Sequence, residues 1–174
     1  MGLLQYENVK IAGISVCVPE QVVENVAFGQ NIFGNEELQK TIDSIGVNYR
    51  HVAPAGLCTS DLCYEAAKDL LGKLAVNPAE IGAIIFITQT PDYRLPATAC
   101  ILQERLGLNK STMAFDINLG CSGYIYGLNI GFGLLNQSVI KKVLLLVGDT
   151  ITKCISPMDR SGSVLFGDAG SAAL

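Results

Sequence analysis

Two spacings of apolar residues alternate along this chain. Val9 to Val18 alternates in a run rich in β-branched residues and stops at Pro19, which predicts a first strand. Glu24 to Ile45 is mixed and broken by Gly29 and Gly34. Within it, Asn35-Glu-Glu-Leu-Gln-Lys-Thr-Ile predicts a short helix with Asn35 as N-cap. Its acids Glu36 and Glu37 suit the positive end of the helix dipole, and Gly46 ends it. Val47 to Val52 reads as extended, before a loop at Pro54 and Gly56. Thr59-Ser60-Asp61 then opens a helix through Leu74, because Leu62, Ala66, Ala67, Leu70, Leu71 and Leu74 fall on one face.

Ile81 to Thr88 is uncharged, β-branched and of the length of a buried parallel strand. Gln89 to Pro96 predicts a loop, and Ala97 to Leu106 a helix that Gly107 closes. Met113 to Ile117 predicts another strand, after which the chain turns at Leu119-Gly120 and enters a helix to about Asn136. That helix has no charge before Lys141 and is apolar on every side, so it is expected to be buried all round. Val143 to Val147 predicts a further buried strand. Ser163 to Leu174 is expected to begin as a strand and kink at small residues. Alternating strands and helices predict a parallel or mixed sheet covered by helices. The chain is still apolar at its last residue, which suggests the front half of something larger.

Composition adjusts this picture in three ways. The 174 residues suffice for one domain with a sizeable core, but 49% hydrophobic and 16% charged residues suggest a surface partly covered by other chain. A net charge of -4 with scattered Lys and Arg argues against nucleic acid as partner. The apolar run Leu119 to Leu135 is shorter than the ~20 residues a bilayer needs and contains Asn129. The six cysteines form no Cys-x-x-Cys pair, and the first residues lack an export signal and a myristoylation pattern at Gly2, so free thiols in a reducing cytoplasm are expected. With His51 as its sole histidine and no ligand spacing, the chain offers no metal site.

The candidate chemistry sits at Cys121. A sulfur at the mouth of a helix is favoured as thiolate by the aligned peptide dipoles, although free cysteines are often plain core residues. Gly123, Gly127 and Gly131 form one stripe on the helix that follows, which predicts close helix packing, since backbones can approach where no Cβ intervenes.

Several motifs recur in order: Pro19-Glu20, Gly46-Val-x-x-Arg50-His51-Val52-Ala53, Leu95-Pro96-Ala-Thr-Ala-Cys100, Asp116-x-x-x-x-Cys121-x-Gly123, Gly148-Asp149, Asp159-Arg160 and Phe166-Gly167-Asp168. This series resembles the β-ketoacyl-acyl-carrier-protein synthase III family, condensing enzymes of the thiolase superfamily. The resemblance implies an α/β, thiolase-like fold. The chain would supply a mixed five-stranded sheet covered by helices, as the N-terminal half of an αβαβα layered homodimer subunit. It casts Cys121 as the acyl-accepting nucleophile and leaves the family's catalytic His and Asn to the second half. Arg160 matches a position that contacts coenzyme A, with an ion pair to Asp159 or Asp168 as the other reading. Leu95 matches one that floors the partner subunit's acyl pocket, with plain interface packing as the other reading. His51 matches a structural position of the family motif, and Asp168 in Gly-Asp-Ala-Gly is read as shaping a turn, since Asp and Gly are turn formers.

The implied activity is condensation of an acyl thioester with a malonyl thioester in fatty-acid or related biosynthesis, with no cofactor beyond coenzyme A or acyl-carrier-protein thioesters as substrates. A non-elongating acyl-transfer enzyme and a non-catalytic partner subunit or carrier-protein dock remain as alternatives. Two departures from the family pattern stand out. Gly120 replaces the usual alanine before the cysteine, which is expected to loosen the turn. Lys40 and Asn48 stand about where an aromatic residue and an arginine usually sandwich the adenine of coenzyme A, which favours carrier-protein delivery or a different coenzyme A pose.

Overall fold

Five strands form one mixed sheet in the computed structural model, which describes residues 5–136 and 139–174. The Gly2 pattern lies outside the described residues. The strands are β1 (Ile14–Cys17), β4 (Ala83–Ile87), β5 (Met113–Ile117), β6 (Val143–Asp149) and β7 (Ala169–Ala173), in the spatial order β1-β7-β6-β4-β5. A separate ribbon pairs β2 (Val22–Glu24) with β3 (Tyr49–His51). β4 is parallel to both neighbours, with Ile87 opposite Ile117 on one side and Val147 on the other, while β7 is antiparallel to β1 and β6.

Every residue of β4 is buried, as its unbroken apolar run requires of a central parallel strand. Its side chains alternate between two cores. Ile84 and Phe86 pack with Leu144 and Leu146 beneath α3 (Thr59–Lys73) and α4 (Thr98–Arg105). Ala83, Ile85 and Ile87 pack with Val143 and Leu145 beneath α5 (Gly123–Leu135). Each fully buried Ile, Leu or Phe contributes about 1.5–3 kcal/mol, so these two layers dominate the stability of the sheet. A smaller core joins Phe33, Leu38, Ile42 and Val164 around α1 (Asn25–Gly29) and α2 (Asn35–Ile45).

Several sequence expectations need correcting. The first strand covers only Ile14–Cys17; residues before it meet the sheet through Ala12 and Gly13, which exchange backbone hydrogen bonds with Leu174. Gly34, not Asn35, stands at the N-cap of α2. The short β2 and α1 had no clear periodicity to announce them. Residues 163–165 are turn and 166–168 irregular rather than strand; the Asp159 carboxylate accepts the Ser161 and Gly162 amides and bends the chain just before them.

The helix α5 is not buried all round. Gly123, Gly127 and Gly131 are its buried residues, whereas Ile125 and Tyr126 are 67% and 56% exposed. The glycine stripe faces the sheet, not a second helix. A Cβ on Gly127 would stand 2.4 Å from Ile87 Cδ1 and 2.7 Å from Leu145 Cδ1. The missing side chains let the helix backbone settle directly onto large β-branched and leucine residues of β4 and β6.

Two further glycines are required by close approach. A Cβ on Gly148 would meet the Ala169 carbonyl oxygen at 2.4 Å, and one on Gly170 would meet the Cys63 amide nitrogen at 2.5 Å. These contacts seat β7 against β6 and α3 against β7. That is the physical content of the small residues in Gly148-Asp149 and Asp168-Ala-Gly170.

Candidate active site

β4, β5 and β6 run parallel, so their C-terminal ends lie along one edge of the sheet. Open α/β sheets place ligands at that edge. There β5 ends at Ile117, and a turn closed by the Gly123 amide donating to the Gly120 carbonyl at 2.7 Å carries Cys121 and Ser122 into α5. Cys121 is exposed and is the second residue before the helix.

The neighbouring strand ends are tied together by one carboxylate. Asp149, the last residue of β6, accepts at Oδ1 from Thr88 Oγ1 (2.8 Å), the Gln89 amide (2.7 Å), the Thr90 amide (3.1 Å) and Thr90 Oγ1 (3.0 Å). Thr59 at the start of α3 extends the network: its Oγ1 lies 2.8 Å from Thr90 Oγ1 and accepts the Thr150 amide at 3.0 Å. A part-buried network converging on one carboxylate oxygen rigidifies what it holds. The sequence had marked Asp149 only as part of a motif, and the threonines not at all; isolated hydroxyls carry no periodic signal.

Asp116 has an equally definite place. From β5 its two oxygens accept the Thr98 and Ala99 amides, each at 2.7 Å, and so cap α4. This anchors the end of the loop that carries Leu95. Leu95 is 86% exposed and precedes a cis proline bond to Pro96.

Other candidates are distributed elsewhere. Arg160 pairs with Glu37 of α2 and lies over the Phe33 ring, 4.9 Å from its centroid. Neither Asp159 nor Asp168 is its partner. The Asp159 carboxylate bonds the turn that follows it, and the buried Asp168 accepts the Ala53 amide (2.7 Å), the Thr152 amide (3.0 Å) and Thr152 Oγ1 (2.6 Å). Asp168 therefore joins the end of β3 to the segment after β6, in keeping with a structural role. His51 is held through Nδ1, 2.6 Å from the Pro19 carbonyl oxygen. Arg50, whose guanidinium is pushed down by burial, donates to Asn25 Oδ1 at 2.6 Å and to the Phe166 carbonyl at 2.9 Å.

The six cysteines are free but unequal. Burial pushes the Cys63 thiol up to about 12, and burial also raises Cys17 and Cys58. Cys100, Cys121 and Cys154 are exposed, so Cys121 is set apart by its turn and not by exposure alone. A cavity of about 290 Å³ is lined by Phe28, Arg50, Thr152 and Phe166, and one of about 790 Å³ by Cys17, Leu62 and Arg105; Cys121 lines neither. Among the described residues no helix is long and apolar enough to cross a membrane.

A mixed five-stranded sheet between helical layers is a thiolase-like α/β fold, and here it places a cysteine at the β5–α5 turn. Residues 115–174 match the family of 3-oxoacyl-[acyl-carrier-protein (ACP)] synthase III. The β-ketoacyl-[acyl-carrier-protein] synthase III of Xylella fastidiosa strain Temecula1 is 38% identical over 95% of this chain and 50% of its own length. That of Clostridium perfringens strain SM101 is 37% identical over 95% and 50%. The crystal structure of a 3-oxoacyl-(acyl-carrier protein) synthase from Burkholderia xenovorans LB400 superposes with a TM-score of 0.94 at 46% identity, covering 98% of this chain and 48% of that one. The Thermus thermophilus synthase III gives 0.85 at 35% identity, with 95% and 50% covered. The chain is thus similar along nearly its whole length to 3-oxoacyl-[acyl-carrier-protein] synthase III proteins, and it spans about half the length of the relatives it matches.

Proposed function

We propose that this chain is the N-terminal, acyl-accepting half of a condensing acyltransferase of fatty-acid or related biosynthesis. The observation that carries this reading is the exposed Cys121 in a turn between β5 and α5, at the sheet edge where parallel strands end. The Cys121 thiolate attacks the carbonyl of an acyl thioester, the bond to the carrier sulfur breaks, and the carrier thiol leaves with a proton. A malonyl thioester then loses carbon dioxide, and its carbanion attacks the acyl-enzyme carbonyl, releasing Cys121 as thiolate. Backbone N–H groups of the turn stabilise the oxyanion in each addition. The His and Asn that stabilise the enolate belong to the second half of the family fold.

Arg160 and Leu95 complete the substrate contacts. Arg160 is half exposed over Phe33 and presents its cation to the phosphate of a coenzyme A or acyl-carrier-protein thioester. Leu95, almost fully exposed in this chain, reaches the acyl pocket of a partner subunit in a cytoplasmic homodimer.

The test is to incubate the full-length gene product with acyl-coenzyme A and acyl-carrier-protein thioesters and read its intact mass. One acyl group per chain is expected, absent in Cys121→Ala. Equal masses for wild type and variant across both thioester classes would refute the assignment.

A further inference from the structure

The turn before Cys121 contains a side chain where the family pattern has a methyl group. A Cβ built on Gly120 would lie 2.7 Å from Gln89 Oε1 and 3.1 Å from Gln89 Cδ. Real Cβ atoms essentially never make a contact as short as the first, so the observed Gln89 conformation and an alanine at this position exclude one another. Glycine here leaves space beside the turn, and the Gln89 carboxamide lies in it. The other end of Gln89 is fixed, because its amide donates to Asp149 Oδ1 at 2.7 Å within the threonine network at the ends of β4 and β6. The residue thus runs from the rigid strand ends to the peptide unit directly before the sulfur.

We propose that Gln89 is a positioning residue of the Cys121 site, its carboxamide seated against Gly120 and holding the turn that presents the sulfur to a thioester. The proposal rests on the reading of Cys121 as acyl acceptor. Gln89 and Gly120 then act as a unit: a carboxamide in a glycine recess performs the packing that an alanine side chain gives the usual family turn. The exposed carboxamide lies against Gly120, the residue directly before Cys121.

The decisive experiment measures Cys121 alkylation by iodoacetamide against pH in the full-length protein, with the modified peptide quantified by mass spectrometry. Gln89→Glu places a carboxylate beside the turn, and the midpoint of alkylation is expected to rise by roughly one pH unit. Gly120→Ala expels the residue 89 side chain, so in the Gly120→Ala/Gln89→Glu double variant the rise is expected to shrink to less than half. Gln89→Lys, which places a cation at the same position, is expected to move the midpoint down. No shift, shifts of one sign for both charges, or an equal shift with and without Gly120→Ala would overturn the placement.

Positioning itself is read from the acylation rate at saturating thioester. Gln89→Ala is expected to lower it roughly tenfold with the melting temperature preserved, since small misplacements of a reacting group cost that much or more. An unchanged rate would overturn the positioning role. If wild type accepts no acyl group at all, the acyl-acceptor reading fails, while the alkylation midpoints still decide whether Gln89 sits at the sulfur.

Discussion

Asp116 Oδ1 accepts the backbone N–H of Ala99 at 2.7 Å, joining the edge strand β5 to the first turn of α4. Its second oxygen takes the Thr98 N–H at the same distance. A carboxylate at a helix N-terminus satisfies donors that the helix itself leaves open and meets the positive end of its dipole. Asp116→Ala is expected to destabilise the protein by about 1–2 kcal/mol, the usual cost of a lost cap. Asp116→Asn, which keeps one acceptor, is expected to cost less. Urea unfolding of both variants checks the order.

The glycines of α5 are not equivalent, although they share a stripe. Gly127→Ala would drive its Cβ into Ile87 and Leu145, at 2.4 and 2.7 Å. It is expected to cost about 1–3 kcal/mol by overpacking. At Gly131 a Cβ would meet a Val143 methyl at 3.5 Å, an ordinary contact. Gly131→Ala is expected to be neutral or to stabilise by up to ~1 kcal/mol through helix propensity. Melting temperatures moving in the same direction for both variants would contradict this packing.

Asn25 of α1 holds three partners beside the smaller core. It is fully buried, donates Nδ2 to the Val47 and Val164 carbonyls at 2.8 and 2.6 Å, and accepts from Arg50 Nε at 2.6 Å. Asn25→Ala would strand two carbonyls and part of a guanidinium away from water. A loss of about 2–4 kcal/mol is expected in chemical denaturation. Asn25→Asp keeps the acceptor for Arg50 but loses both donations, and is expected to fall between the two.

Cys63 provides a pH signature. Its folded thiol is raised from 9.0 to about 12 by desolvation, so the folded chain keeps a proton that the unfolded chain releases. The associated stability is complete below pH 9.0 and drains away as pH rises toward about 12. Between about pH 9 and pH 11 wild type should lose up to ~1.4 kcal/mol per pH unit more than Cys63→Ala. The comparison of slopes checks this, since the variant's lower absolute stability cancels. In the native state Cys63 should also escape alkylation under conditions that label Cys121.

Much of this architecture was legible along the chain. The unbroken run Ile81–Thr88 became the fully buried β4, the face from Leu62 to Leu71 became the buried side of α3, and Gly46 and Gly107 ended their helices in left-handed conformation. Local periodicity suffices where one element meets a continuous core. It failed for β2 and α1, which are short, and for residues 163–168, which follow a turn bonded by the Asp159 carboxylate. The ordered motifs pointed to Cys121 and its family, but not to Gln89. A single polar residue after a strand looks like any loop residue until its neighbour in space is known.

The sequence by itself determined the alternation of strands and helices, the central place of β4, and the strand–turn–helix that exposes Cys121. These depend on hydrophobic period and on glycine and proline, which act within a few residues. Only the tertiary structure decided that the α5 glycines face the sheet, that Arg160 pairs with Glu37, and that Gln89 fills the recess at Gly120. Each of these is a contact between residues far apart in the chain, set by strand order and by which atoms compete for one space.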